Sequence, residues 1–247
     1  MDTITRFPRK TFNITIDAYS SMQEKSVSHD TVWDRLWREG NVDAAEYPLR
    51  LINIDELAGK KVLEVGCGAL ECSPSRFAKM DLVGVDISDV ALRTYEHSSK
   101  IASLIRADAK SLPFNDESFD FVIANETLTW LGRGAFVGLN EVARVCKKGG
   151  RCVFTFKHIE VISDMAKMPD EVIENSWAIA HVDKERDAIV VSEKIVKEAM
   201  DRIGLIPLRF MVLTESMIWK LCEPFNMTAQ SAPQGKKEGI FVDAVKT

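Results

Sequence analysis

The stretch from Val62 to Asp86 constrains this chain most, because it joins an apolar run to a pair of glycines and, about twenty residues on, to an acid. Val62-Leu63-Glu64-Val65 is short, mostly apolar and rich in β-branched residues, the composition of a strand buried in a parallel sheet. Gly66 and Gly68 follow at once. Glycine reaches backbone angles closed to other residues, so the pair predicts a tight strand-to-helix turn with room for a bound molecule. Ser73 and Pro74 are the residue types of a helix N-cap and first helical position. A second apolar run, Leu82 to Val85, ends in Asp86, at the spacing expected of a carboxylate that grips a ribose.

Two cofactor chemistries use such a turn. A nicotinamide dinucleotide seats its pyrophosphate over the helix N-terminus and wants a third glycine, where this chain has Glu71, an acid that repels phosphate. Glu64, two residues before the first glycine, adds negative charge beside the loop and suits a cationic ligand without phosphate. With that acid, Glu64-x-Gly66-x-Gly68 resembles the first motif of the class I S-adenosylmethionine-dependent methyltransferases, departing from it at the third glycine, where Leu70 stands. Leu112-Pro113-Phe114 through Phe119-Asp120, then Val122-Ile123-Ala124-Asn125, resembles a segment of small-molecule methyltransferases of the ubiquinone-biosynthesis type. With Lys148-Gly149-Gly150 the likeness covers about residues 60 to 157.

The resemblance implies S-adenosylmethionine as cofactor and a small-molecule acceptor. It implies cofactor contacts at Glu64, Gly66, Cys67, Gly68, Asp86, Ile87, Asp108, Ala109 and Asn125. Asp86 would take the ribose hydroxyls, Ile87 would flank the adenine, and Asp108 with the Ala109 amide would meet the adenine edge. Glu64 would meet the ligand's ammonium, directly or through water. Each residue also has a plainer role: Asp86 as a helix cap, Asp108 as a turn residue, Ile87 as core, Glu64 as a turn residue, Cys67 as a small packing residue.

Composition excludes several classes. At 247 residues the chain suits a single α/β domain, and its 46% hydrophobic and 28% charged residues are those of a globular protein. A net charge of −5 gives no footprint for nucleic acid or an anionic membrane. No apolar run approaches the roughly 18 residues of a membrane span, and Met1 to Lys10 lacks a signal-peptide core, so a cytoplasmic protein is expected. Five cysteines with no C-x-x-C pair argue for free thiols and against a metal site. The oligomeric state is not legible.

Along the chain, the resemblance implies a helical N-terminal cover over residues 1–58, a cofactor-binding core over 59–157, and a substrate-side insertion with C-terminal strands over 158–247, although residues 1–28 show only weak apolar periodicity. The cover holds a possible strand at Thr11 to Ile16 and a Trp33/Trp37 helix, which Asp30 can cap and Gly40 stops; Tyr47 to Leu57 is a further helical stretch. The tryptophans either pack the helix on the domain or line a substrate pocket. Helices are expected at Ser75 to Met80, from a Ser88 cap to about Lys100, at Arg133 to Lys147 with Lys148-Gly149-Gly150 as its stop, and around Ile195 to Ile203. Strands are expected at Ser103 to Arg106, in the run ending at Asn125, at Arg151 to Lys157, at Leu208 to Thr214 and at Gly239 to Val245. Residues 158 to 190 appear only as partly helical, Ile218 to Leu221 as a short helix and Glu223 to Glu238 as a loop. The alternation implies a doubly wound parallel sheet of Rossmann-like type, and the resemblance implies that its seven strands end in an antiparallel last strand.

Methyl transfer is a direct displacement, so the protein must chiefly hold an acceptor in line in a dry pocket, and a general base is optional. Glu126, His158 and His181 are the candidate bases, and Trp130 either stacks on an acceptor or fills the core. A second reading is a binding or regulatory protein that keeps the fold and holds S-adenosylmethionine without transferring its methyl.

Overall fold

The computed structural model describes residues 29–39, 50–68, 79–96, 102–161, 173–181, 186–214, 217 and 237–247. At its centre β1 (Lys61–Val65) pairs in parallel with β2 (Asp81–Asp86) on one side and β4 (Phe119–Ala124) on the other. β3 (Ala102–Arg106) extends the sheet beyond β2, and β5 (Cys146–His158) extends it beyond β4, all parallel. β9 (Lys237–Lys246) runs antiparallel to β5, and β8 (Leu205–Thr214) runs antiparallel to β9. These are the seven expected strands, and the doubly wound, mostly parallel α/β class follows from them.

Two further strands make nine among the described residues. β6 (Trp177–His181) and β7 (Asp187–Val191) form an antiparallel pair, and β7 joins β5 through Lys157 and His158. They come from the segment expected to be partly helical. Ala188 to Val191 is buried throughout, and an all-apolar run shows no period by which a strand differs from a helix.

Alternate strand residues feed two cores. On one face Leu63, Val65, Val122, Ala124 and Phe154 pack with Leu139 and Val142 of α3 (Ala135–Val145) and Ile195 and Val196 of α4 (Glu193–Arg202). On the other, Val62, Leu82, Phe121, Ile123 and Val153 pack with Ile52, Leu57 and Leu92, the last from α2 (Asp89–Glu96). Burial on both faces is what the near-continuous apolar strands require.

The helix expected at Arg133 to Lys147 is shorter at both ends. A 3-10 turn over Leu128–Gly134 precedes it, and it stops at Val145 because Cys146 turns extended and pairs with Phe119. Gly149, at φ +72°, therefore turns a bulge in β5 rather than ending the helix. Within Tyr47 to Leu57 the described part includes a 3-10 turn at Ile54–Leu57, capped by Asn53, whose Oδ1 accepts the Asp55 N–H. The Leu112-Pro113-Phe114 segment is clamped from α3: the Leu112 N–H donates to Glu141 Oε2 at 2.7 Å, and Arg144 donates to the carbonyls of Leu112 and Phe114. Strand Thr11 to Ile16, most of helix Ser75 to Met80, helix Ile218 to Leu221 and most of the loop before Lys237 lie outside the described residues, as do Leu70 and Glu71. Lys237 and Glu238 belong to β9. Among the described residues no helix is long and apolar enough to cross a membrane.

Candidate functional site

The carboxyl ends of β1, β2 and β4 meet beneath α1 (His29–Glu39). Past Val65 the backbone turns through Gly66 at φ +68° and Gly68 at φ +55°. The Gly66 and Cys67 N–H groups both donate to the Val85 carbonyl, at 2.8 and 3.0 Å, tying the turn to β2. A methyl at Gly66 would collide with Thr127, whose hydroxyl lies 2.9 Å from the Val65 carbonyl and 3.0 Å from that of Asn125. A methyl at Gly68 would lie 2.7 Å from the Trp37 ring. The room beside the two glycines was expected for a ligand; here it seats Thr127 and Trp37.

Asp86 closes the turn from β2. Its Oδ2 accepts the Gly68 N–H at 2.9 Å and its Oδ1 accepts the Ser88 N–H at 2.8 Å. The Ile87 N–H acts on the same carboxyl, so backbone donors take most of the roughly four acceptor positions of a carboxylate. Capping of α2 falls instead to Ser88, whose Oγ accepts the Ala91 N–H, helped by Asp34 of α1, which accepts from Ser88 Oγ at 2.7 Å and from the Val90 N–H at 3.1 Å. Burial pushes the Asp86 carboxyl above its usual range, against the backbone donors that favour its charge.

Glu64 lies beside it, 5% exposed, with Oε2 lacking a hydrogen-bond partner among the described residues. Burial first, then the charge of Asp86, pushes its carboxyl up to about 8. Cys67 is buried as well, and burial followed by Asp86 and Glu64 raises its thiol. An acid sunk without a donor is costly, and here it stands next to a second acid. That arrangement suits a ligand bringing a cation.

At the end of β3, Asp108 makes a turn: its Oδ1 accepts the Lys110 N–H at 2.9 Å and its carbonyl accepts the Ser111 N–H. Ala109 is buried. The half-buried Ile87 offers its carbonyl to Arg106 Nε at 3.1 Å. After β4, Asn125 leads into Glu126, a non-glycine residue at φ +49°, held by its N–H to Thr155 Oγ1 at 2.7 Å and by Lys157 Nζ at 3.2 Å from Oε2. Such backbone strain clusters at functional sites. Trp130 meets Trp33 of α1 edge-on at 5.8 Å, and Arg186 lies over its ring at 5.6 Å.

His158 does not join the turn. His158, at the end of β5, is buried; its Nδ1 accepts the Glu160 N–H, its Nε2 is 3.8 Å from Glu193, and burial holds it below its ordinary range, hence neutral. The His181 backbone pairs with Asp187, and its side chain is outside the described set. Sequence reasoning missed Asp34, Thr127, Thr155 and Lys157. None carried a local signal, since each acts on another element.

Residues 63–154 match the family model of a methyltransferase domain. Over that segment the chain is similar to the class I S-adenosylmethionine-dependent methyltransferases. Among curated proteins it is similar to the fatty-acid O-methyltransferase of Mycolicibacterium smegmatis, 34% identical over 40% of this chain and 38% of that one. It also resembles the demethylmenaquinone methyltransferase of Corynebacterium kroppenstedtii, 32% identical over 53% of each. The alignments thus span about half or less of these relatives' length. Among solved structures, a methyltransferase of Methanosarcina mazei shares the fold with a TM-score of 0.57 and 20% identity, covering 83% of this chain and 99% of that one. The magnesium protoporphyrin IX methyltransferase of Synechocystis, with bound S-adenosylhomocysteine, shares it with a TM-score of 0.55 and 14% identity, covering 91% and 90%. In the methyltransferase domain Glu64, Gly66, Cys67, Gly68, Asp86 and Ile87 gather at the ends of β1 and β2, while Asp108, Ala109 and Asn125 follow β3 and β4.

Proposed function

We propose that this chain transfers the methyl group of S-adenosylmethionine to a small-molecule acceptor by direct displacement. The observation that carries the reading is the acid pair at the turn: Asp86, tied to the Gly68 amide, beside the buried and partnerless Glu64 Oε2. Bound there, S-adenosylmethionine supplies an electrophilic methyl on a positively charged sulfur. Asp86 would accept the ribose hydroxyls, and Ile87, Asp108 and Ala109 would frame the adenine. Glu64 would face the ammonium, and Gly66, Cys67, Gly68 and Asn125 would border the ligand along the turn.

The residues past β4 and β5 would hold the acceptor. Trp33 and Trp130 offer aromatic surface there, with Arg186 beside it. Both relatives' names, fatty acid and demethylmenaquinone, point to an apolar acceptor, and the first to one with an acidic group. Such an acceptor arrives ionised and needs no base. Glu126, paired with Lys157, and the enclosed neutral His158 are then positioning or structural groups. The net charge of −5 favours neither nucleic acid nor an anionic membrane as partner, and free thiols suit a cytoplasmic setting.

Incubation with methyl-labelled S-adenosylmethionine and a panel of fatty acids, acidic naphthols, amines and alcohols tests the reading. Labelled product together with S-adenosylhomocysteine supports it and excludes a binding-only protein. Failure of the intact chain to bind S-adenosylmethionine overturns it.

A further inference from the structure

Glu64 has one feature that donor binding alone does not explain. It belongs to an acid pair whose members are equipped differently. Each Asp86 oxygen accepts a backbone N–H, from Gly68 and from Ser88, and such donors favour the charged form. Glu64 lies deeper than the half-buried Asp86, yet among the described residues its Oε2 accepts nothing. Its neighbours in register are Gly84 of β2 and Ile123 of β4, neither of which brings charge. The titratable groups acting on it are all acids or thiols: Asp86 directly, Cys67 from the turn, and Asp34 of α1 through Asp86. No cation is among the groups that act on it in the described residues. Two adjacent acids out of bulk water do not both ionise readily, and Glu64, the deeper one and with Oε2 unpaired among the described residues, keeps its proton.

On the donor reading above, we propose that Glu64 sets the site's ligand specificity by proton exchange: protonated in the free protein, it gives its proton to solvent when a ligand ammonium docks against it. The O–H bond of the carboxyl breaks, the proton leaves to water or buffer, and the carboxylate formed accepts an N–H of the ammonium. The released proton balances the positive charge brought in. The site therefore selects adenosyl sulfur compounds that bear an α-ammonium group over those that lack one. The elevation of the Glu64 carboxyl to about 8 agrees with this assignment.

Calorimetric titration of the intact protein with S-adenosylmethionine, in phosphate and in Tris at the same pH, tests it, because the difference in heat reports protons exchanged. Near pH 6.5, where both the carboxyl and a free α-amino group (pKa about 8) are protonated, close to one proton is released per site. Release falls through zero near pH 8 and becomes uptake above it, so apparent affinity peaks there. Methylthioadenosine, which lacks the ammonium, binds the same protein more weakly and with no buffer dependence. Glu64→Gln abolishes the buffer dependence near pH 6.5 and brings S-adenosylmethionine affinity down toward that of methylthioadenosine. If that variant does not fold, the two ligands compared on the unaltered protein decide the matter. Equal heats for S-adenosylmethionine in the two buffers near pH 6.5 overturn the proton exchange and leave the donor reading standing. Absence of binding in both buffers overturns the donor reading and this inference together.

Discussion

The glycine turn at β1 and β2 and the rim beyond β4 and β5 are neighbours built by different means. The turn is a main-chain device. Two left-handed glycines aim N–H groups at the Val85 carbonyl and at Asp86, and one acid closes it. The rim is a side-chain device, assembled from Thr127, Glu126 with Lys157, and Trp130 between Trp33 and Arg186. A main-chain device tolerates few residue types at each position, whereas a side-chain device can be rebuilt from many. The turn is thus suited to a fixed cofactor and the rim to a chosen acceptor.

Substitutions can break that contrast, beginning where the effect is largest. Asp86→Ala removes the acceptor of two backbone donors as well as the ribose contact. At about 1.5–3 kcal/mol per charge-assisted bond, S-adenosylmethionine affinity is expected to fall at least about 100-fold, measured by equilibrium dialysis. A change under about tenfold would remove Asp86 from the site. Gly66→Ala meets both a left-handed backbone and Thr127, and should destabilise folding by about 3 kcal/mol in urea. Gly149→Ala meets only the backbone, since nothing lies within 4 Å, and should lose about 1 kcal/mol. Equal losses would mean that Thr127 yields freely and the turn is less rigid than drawn.

Trp130→Ala belongs to the rim. It should raise acceptor KM about tenfold and leave S-adenosylmethionine affinity within about twofold; weakened cofactor binding would merge the two devices into one. Glu64 carries a pH signature. Its carboxyl sits higher in the folded chain than its ordinary 4.5, so its contribution to stability is full below pH 4.5 and is lost as pH rises toward about 8. Without ligand, Glu64→Gln should therefore melt higher than the parent at pH 8 and alongside it at pH 4.5, by differential scanning fluorimetry. A gap that widens toward acid would reverse the sign and refute the burial argument. The smallest effect is expected of Glu126→Gln, a kcat change under about threefold with an unaltered pH profile, because it is already paired with Lys157. A loss near 100-fold would make it the general base.

The same contrast explains what the amino-acid sequence revealed. Val62 to Asp86 announced strand, turn and acid because glycine types and spacing dictate the main chain there, and the β-branched runs declared a parallel sheet. The β6–β7 pair stayed hidden because Ala188 to Val191 is apolar without alternation. The glycines at 149 and 150 looked like a helix stop because nothing local shows that Cys146 pairs with Phe119. Asp34 and Thr127 were invisible for a related reason: each completes an element far away in the chain, and only the fold brings Asp34 to Ser88 and Thr127 to Val65.

Equilibrium binding of labelled S-adenosylmethionine to the intact chain and to Asp86→Ala, side by side, probes most directly whether the acid-closed glycine turn holds the methyl donor. Micromolar binding by the intact chain that is lost in the variant is expected. No binding by the intact chain, or equal binding by both, would contradict it.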